Sequence, residues 1–171
     1  MFLRCELIPR HHPGAGVPPQ QGIVVACWPA RLTSRHKKII ATSDAPAAIG
    51  PYSQAIRSGN FIFCSGQIPL DPKSGEMVSD DISAQTRRVL DNISGLLKSE
   101  ALSLGDVLKT TIFLTDLGNF QIVNEIYGSY FNNQPPARST VQVSALPKDA
   151  KIEIEVIACT NGGAAASDTS G

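Results

Sequence analysis

Apolar residues between positions 41 and 160 switch repeatedly between strand-like and helix-like spacing, and this order limits the fold more than any other feature. Two runs, Asp80 to about Leu102 and Asn119 to Phe131, repeat their apolar residues at helical spacing. Alternating or β-branched runs surround them and favour strands. The predicted order is β-β-α-β-α-β-β, which favours an α+β domain with a mixed sheet and two helices packed on one face.

Turn residues separate these elements. Ser58-Gly59-Asn60 predicts a hairpin within "QAIRSGNFIFCSGQ", with Phe61 and Phe63 on one face. Pro135-Pro136 ends the second helix, because proline lacks a donor and disfavours helix in the residue before it.

The last two strands are predicted at 138–144 and 152–158. We expect them to pair as a hairpin, which would place Glu153 opposite about Gln142. Two helices would cover one sheet face and leave the other partly apolar, since a chain of 171 residues has nothing else to cover it. Exposed apolar sheet predicts self-association.

Composition and charge exclude several classes of protein. The length suits one domain, and no apolar stretch approaches the ~18 residues of a membrane-spanning helix. Residues 41–160 carry nine Lys/Arg and thirteen Asp/Glu, a net charge of 9 − 13 = −4. An anionic body repels phosphate, and this disfavours nucleic-acid binding.

The two ends differ from this body. Residues 1–40 carry six Lys/Arg and one acid, and we expect a disordered extension or a targeting leader. The expected location is the cytoplasm, or a mitochondrion or plastid if the leader is a transit peptide. Residues 161–171 predict a disordered tail.

Histidine and cysteine placement excludes further chemistry. The three histidines, His11, His12 and His36, all precede the body. The body therefore cannot build a Ser-His-Asp triad, a Cys-His pair or a histidine metal site. The four cysteines, Cys5, Cys27, Cys64 and Cys159, form no CxxC pair, and Cys64 is expected to be buried and inert.

Three charged side chains are candidates for chemistry. Arg138 follows two prolines, and arginine binds a carboxylate through two parallel hydrogen bonds. Glu153 and Glu155 share one strand face, and either could deprotonate a water. The alternatives are a surface arginine or local ion pair, and a solvated row of glutamates.

Four further residues are weaker candidates. The N–H of Gly66 could bind an oxyanion beside Ser65, although a plain turn explains the pair as well. Asn124 is either a ligand contact or a boundary residue of the helix. Tyr52 is either a pocket wall or a packed aromatic.

Four segments, taken together, closely resemble the Rid (YjgF-like) family of RidA-type reactive-intermediate deaminases. They are "APAAIGPYSQAI", "FCSGQIPLDPKSGE", "KTTIFLTDLGNFQIVNEIY" and "PPARSTVQVSALPKDAKIEIE". The resemblance covers about residues 41–160. It implies a chorismate-mutase-like single domain and a homotrimer with clefts between subunits.

The resemblance also implies a reaction, the hydrolysis of 2-enamino and 2-imino acids to 2-keto acids and ammonia. Pyridoxal-phosphate-dependent dehydratases release these acids, and neither metal nor cofactor is needed. By position, Arg138 would bind the substrate carboxylate with the backbone of Gly66 and Thr140, and Glu153 would hold the attacking water. The implied pocket lining is Tyr52, Ser65 and Asn124. Position 140 is cysteine in some members, which matters only if a thiol is required.

Three other functions remain open on the sequence. A non-catalytic sensor of small carboxylic acids would keep Arg138 but could lack Glu153. A ribonuclease that inhibits translation is disfavoured by the acidic body without histidine. A holdase-like chaperone would use exposed apolar surface.

Overall fold

The computed structural model describes residues 37–160. The predicted tail, and all of the predicted leader before Lys37, lie outside these described residues. The six strands are β1 Lys38–Ile40, β2 Ala55–Ser58, β3 Phe61–Gln67, β4 Val107–Leu114, β5 Ala137–Gln142 and β6 Ile152–Cys159, and the helices are α1 Ile82–Lys98 and α2 Phe120–Tyr130. The predicted α+β class with two helices and a mixed sheet is confirmed. Strand β1 was not predicted.

The sheet order is β1-β2-β3-β6-β4-β5, and only the β4–β5 pair is parallel. The predicted hairpin of the last two strands is therefore wrong, because β4 lies between β5 and β6. Helix α2 returns the chain to the end where β4 began, so β5 runs parallel to β4. The loop 143–151 then crosses to the far side of β4. Glu153 lies opposite Phe113 rather than Gln142.

The core lies between the helices and one sheet face. The α1 side chains that pack into it are Val89, Leu90, Ile93, Leu96 and Leu97. They meet the buried residues of the central strands, among them Ile112, Ile154 and Val156.

Cys64 is buried on the same face, as expected, and burial raises the pKa of its thiol to about 12, so the thiol stays protonated. Neither helix in the described part of the chain is long and apolar enough to span a membrane.

The opposite sheet face carries an apolar row that no element of residues 37–160 covers. Ile39, Ile56, Phe63 and Ile157 are register partners across four neighbouring strands. Ile39 is 63% exposed and Phe63 is 46% exposed. The expected second, partly apolar face of the sheet is therefore present, and we refer to it as the open face.

Candidate active site divided between two faces of the sheet

Arg138 lies on the helix-covered face, at the start of the edge strand β5. Its register partner is Thr110, whose side chain is buried beneath α2. The guanidinium carbon lies 4.8 Å from the ring centroid of Tyr127 and 5.7 Å from that of Phe120. Within residues 37–160 Arg138 forms no ion pair, so the local-ion-pair alternative fails there.

A cleft of about 450 Å³ opens beside Arg138. Its lining is Asn124, Tyr127, Gly128, Phe131, Pro135, Pro136 and Arg138. Thr140 lies two residues beyond Arg138 on the same strand face and is half-buried. We call Asn124, Tyr127, Arg138 and Thr140 the arginine half-site. It offers a planar cation and polar groups along a cleft whose lining is part polar and part apolar.

Glu153 lies on the open face of the central strand β6. Its carboxylate packs directly over Gly66, so that a Cβ built on this glycine would overlap the Glu153 side chain. Burial raises the pKa of Glu153 above its ordinary value, and the neighbouring Glu155 carboxylate raises it further. Glu155 itself is exposed, so the solvated alternative applies to it and not to Glu153.

A β-bulge brings Gly66 beneath this carboxylate. Strand β3 advances by three residues from Cys64 to Gln67, whereas its partner β6 covers the same distance with two residues, from Val156 to Ile154. One extra residue therefore bends β3 at Ser65-Gly66, and such bulges re-aim side chains and backbone next to sites. The turn proposed at this pair from the sequence is a bulge inside the strand.

Hydrogen bonds to the segment just before β2 hold Ser65 in place. Its N–H donates to the Gln54 carbonyl at 3.0 Å, and its hydroxyl donates to the Ser53 carbonyl at 2.7 Å. Ser65 and the half-exposed Tyr52 line one cleft of about 520 Å³. Tyr52 is therefore not packed in the core. We call Tyr52, Ser65, Gly66 and Glu153 the glutamate half-site.

The two half-sites cannot meet within one chain. The register partners of Arg138 and Glu153 on β4, Thr110 and Phe113, point to opposite faces of the sheet. The two side chains start roughly 10 Å apart along the strands and roughly 10 Å apart across them, about 14 Å in total. A small ligand that touches both needs a second copy of the chain.

Tyr127 was predicted only as one of the apolar positions of its helix. It is buried, but its ring also lies beneath the Arg138 guanidinium. One signal in the sequence could have indicated it, because Tyr127 follows Asn124 by three residues and therefore shares its helix face.

Comparison with known proteins agrees with these motifs. A curated protein of Pyrococcus horikoshii, "RutC family protein PH0854", is 55% identical over 122 residues, which are 71% of this chain and 97% of that protein. The Escherichia coli K12 protein "2-iminobutanoate/2-iminopropanoate deaminase" is 52% identical over 71% of this chain and 96% of its own length. The Arabidopsis thaliana protein "Reactive Intermediate Deaminase A, chloroplastic" is 51% identical over 74% of this chain and 67% of its own length.

A solved structure shows the same fold. Escherichia coli TdcF with bound serine superposes with a TM-score of 0.69 at 47% identity, covering 72% of this chain and 98% of TdcF. The sequence profile of the Ribonuc_L-PSP family, described as Endoribonuclease L-PSP, matches residues 42–160. The resemblance inferred from the four motifs is confirmed, and this chain belongs to the Ribonuc_L-PSP (YjgF/Rid) family.

Proposed function

We propose that the protein hydrolyses 2-enamino and 2-imino acids to 2-keto acids and ammonia, as a homotrimer whose clefts lie between subunits. One observation carries the proposal. Arg138 and Glu153 are built into opposite faces of one sheet, with Arg138 lining a cleft and Glu153 packed over Gly66, so a second copy is needed to complete a site. The names of the relatives from Escherichia coli and Arabidopsis support the reaction.

The open face supports the assembly. Its apolar row, Ile39, Ile56, Phe63 and Ile157, is left uncovered by residues 37–160. Removing apolar surface from water contributes about 25 cal/mol per Å², and part of this gain offsets the entropic cost of association. Glu153 lies on this same face, so packing a second copy there would bring foreign side chains next to it. The association and the completion of the site would then be one event.

In the proposed mechanism Arg138 binds the substrate carboxylate. A guanidinium presents two parallel N–H donors to the two carboxylate oxygens, which fixes the plane of the substrate. The backbone at Thr140 and at Gly66 of the neighbouring copy would supply further donors. Asn124, Tyr52 and Ser65 would line the rest of the pocket.

Glu153 would act on the attacking water. An enamine first gains a proton at C3 and becomes the iminium, whose C2 is already electrophilic. The water oxygen forms a bond to C2 as the C2–N π pair moves onto nitrogen, while Glu153 accepts one of the water protons. The carbinolamine nitrogen then takes this proton back from Glu153 and leaves as ammonia with the C2–N bonding pair. The O–H pair of the hydroxyl forms the keto C=O bond, and the hydroxyl proton passes to Glu153 and on to solvent. Holding the reactants in place contributes as well.

The proposal is tested with a coupled assay. The protein is mixed with a pyridoxal-phosphate-dependent threonine or serine dehydratase, and release of keto acid and ammonia is followed. We expect faster release than the spontaneous hydrolysis, by the roughly 10²-fold or more that general-base catalysis supplies. Release at the spontaneous rate, with binding of 2-oxobutanoate retained, would replace the deaminase with the non-catalytic sensor.

The pH dependence follows from the raised pKa of Glu153. A base must be unprotonated, so activity should fall on acidification at a higher pH than for an ordinary glutamate. Glu155→Gln removes one cause of the shift and should move the acid limb of kcat/KM to lower pH. An acid limb of the wild type at the pH of an ordinary glutamate would exclude Glu153, with its raised pKa, as the titrating base.

The raised pKa of Glu153 also affects how the free energy of unfolding depends on pH. Between the ordinary carboxyl pKa and the raised pKa of Glu153, the folded chain binds more protons than the unfolded chain, so stability falls as pH rises through this window. Glu153→Gln should abolish that fall. Thermal unfolding at several pH values measures it.

The leader is proposed to be dispensable. Because β1 Lys38–Ile40 pairs with β2, we place the junction before Lys38 rather than after residue 40. We propose a cytoplasmic location, and a mitochondrial or plastid one if native protein lacks the leader. N-terminal sequencing of native protein decides between them. The proposed metabolic partner is a pyridoxal-phosphate-dependent dehydratase.

A further inference from the structure

The Arg138 guanidinium is held by aromatic rings instead of an acid. Its carbon lies 4.8 Å from the Tyr127 ring centroid and 5.7 Å from that of Phe120. Such contacts attract a cation through the ring quadrupole and occupy its face. The N–H donors lie around the edge of the guanidinium plane and are left available. An acidic partner would consume those donors and compete with a ligand carboxylate.

The Tyr127 ring is itself fixed from two sides. Its hydroxyl lies 2.9 Å from the hydroxyl oxygen of Thr110, and both residues are buried. Its ring stacks on Phe131 with centroids 4.4 Å apart. Thr110 is also the register partner of Arg138. One residue of β4 therefore positions both the backbone that carries the guanidinium and the ring on which it rests.

We propose that Tyr127 is a positioning residue, whose ring holds the Arg138 guanidinium in the plane that binds a substrate carboxylate. The inference rests on the proposed function for the identity of the substrate. It requires only that Arg138 binds a planar carboxylate, and binding can be measured without turnover.

The test measures binding of 2-oxobutanoate by calorimetry, and KM and kcat in the dehydratase assay, on the full-length protein. Tyr127→Leu removes the ring and should raise both Kd and KM about tenfold, since a partly desolvated cation–π contact has that magnitude. The change should fall on KM more than on kcat, because Arg138 binds the ground state and the transition state alike. Tyr127→Phe keeps the ring and should stay within about threefold of the wild type.

Tyr130→Leu is the matched control. It makes the same substitution on the same helix, but the Tyr130 hydroxyl donates to Asp91 and its ring does not contact Arg138. Its Kd should equal that of the wild type.

If Tyr127→Leu also left Kd unchanged, the inference would be overturned while the deaminase assay could still succeed. If the wild type bound 2-oxobutanoate but did not accelerate hydrolysis, the proposed reaction would fail and the Tyr127 effect on Kd would still decide the inference. No binding by the wild type overturns the inference.

A second series keeps the fold intact if Tyr127→Leu does not assemble. Phenylalanine analogues with successively more ring fluorine are placed at position 127, which weakens the negative face of the ring with little change in shape. Kd for 2-oxobutanoate should rise with each fluorine. A constant Kd across the series overturns the proposal, because a merely structural role depends on shape alone.

Discussion

Arg138→Ala and Glu153→Gln are each expected to abolish the acceleration of imine hydrolysis while the oligomer stays intact. Loss of two charge-assisted hydrogen bonds to the substrate should lower kcat/KM roughly 10²- to 10⁴-fold. Loss of the general base should lower it by a similar factor, roughly 10²- to 10⁴-fold. The coupled dehydratase assay measures both, and light scattering measures the assembly.

Mixing the two inactive proteins tests directly whether each site is shared between two subunits. If each site takes Arg138 from one copy and Glu153 from another, random exchange of subunits makes about a quarter of the sites complete. Unfolding and refolding the two variants together should therefore restore about a quarter of the wild-type rate, whereas either variant refolded alone stays inactive. A site contained within one chain could not be restored in this way.

Two controls separate chemistry from structure. Arg57→Ala removes an arginine that pairs with Glu100 at 3.4 Å, away from both half-sites, and should stay active. Glu155→Gln keeps Glu153 on the same strand face and should also stay active at neutral pH. If Arg138→Ala dissociates the oligomer, the arginine is structural. If the mixture stays inactive, the two half-sites are not shared.

The elements of the fold could be predicted because their signals are local. Helix α1 occupies Ile82–Lys98 within the predicted 80–102, and it begins where the Asp81 carboxylate accepts the Ala84 N–H at 2.8 Å. The hairpin turn between β2 and β3 also lies where predicted. Periodicity, caps and turn residues carry this information within a few positions of the chain.

The pairing of strands could not be predicted in this way. Consecutive strands are neighbours in most sheets but not in all, and the loop 143–151 is long enough to cross β4. The sequence also could not show on which face of the sheet the Arg138 side chain lies. No residue of β5 is fully buried, so no apolar alternation marks which side of the strand meets the core. The placement of Arg138 and Glu153 on opposite faces of the sheet is therefore seen only in the observed register.

The two details of the site that sequence reasoning missed depend on distant residues. The bulge at Ser65-Gly66 appears only when β3 is aligned against β6. The contact between the Tyr127 ring and the Arg138 guanidinium is seen only when β5 is placed beside α2 in the folded chain. Helical spacing correctly predicted that Tyr127 is buried, but spacing within one helix cannot show which residue of another element contacts its ring.

Gly66→Ala is expected to lower activity roughly 10²-fold or more without unfolding the protein, because it displaces the Glu153 base. A Cβ on Gly66 would lie 2.9 Å from the Glu153 Cγ and closer still to the carboxylate. These atoms are the far end of a flexible side chain, so the carboxylate can rotate away at little cost to stability. Displaced, it can no longer hold a water in line with the substrate.

Gly95→Ala is the contrasting control. There the added Cβ meets the backbone of Asp44, with the carbonyl carbon at 2.9 Å, and backbone cannot rotate aside. This variant should lose about 1–3 kcal/mol of stability, as overpacked sites do, and retain its activity when folded. Thermal unfolding and the coupled assay on both glycine variants separate the two effects.

A double mutant decides whether Gly66→Ala acts through Glu153. Placed in the Glu153→Gln background, where no base remains to be displaced, Gly66→Ala should leave the Kd for 2-oxobutanoate unchanged, since an effect that acts only through the shared base is lost with it. A raised Kd in this background would show that the methyl group blocks the substrate or the Gly66 N–H instead. In that case Gly66 would still belong to the site, but as a direct ligand contact. The bulge at Gly66 would then not be what positions the Glu153 carboxylate.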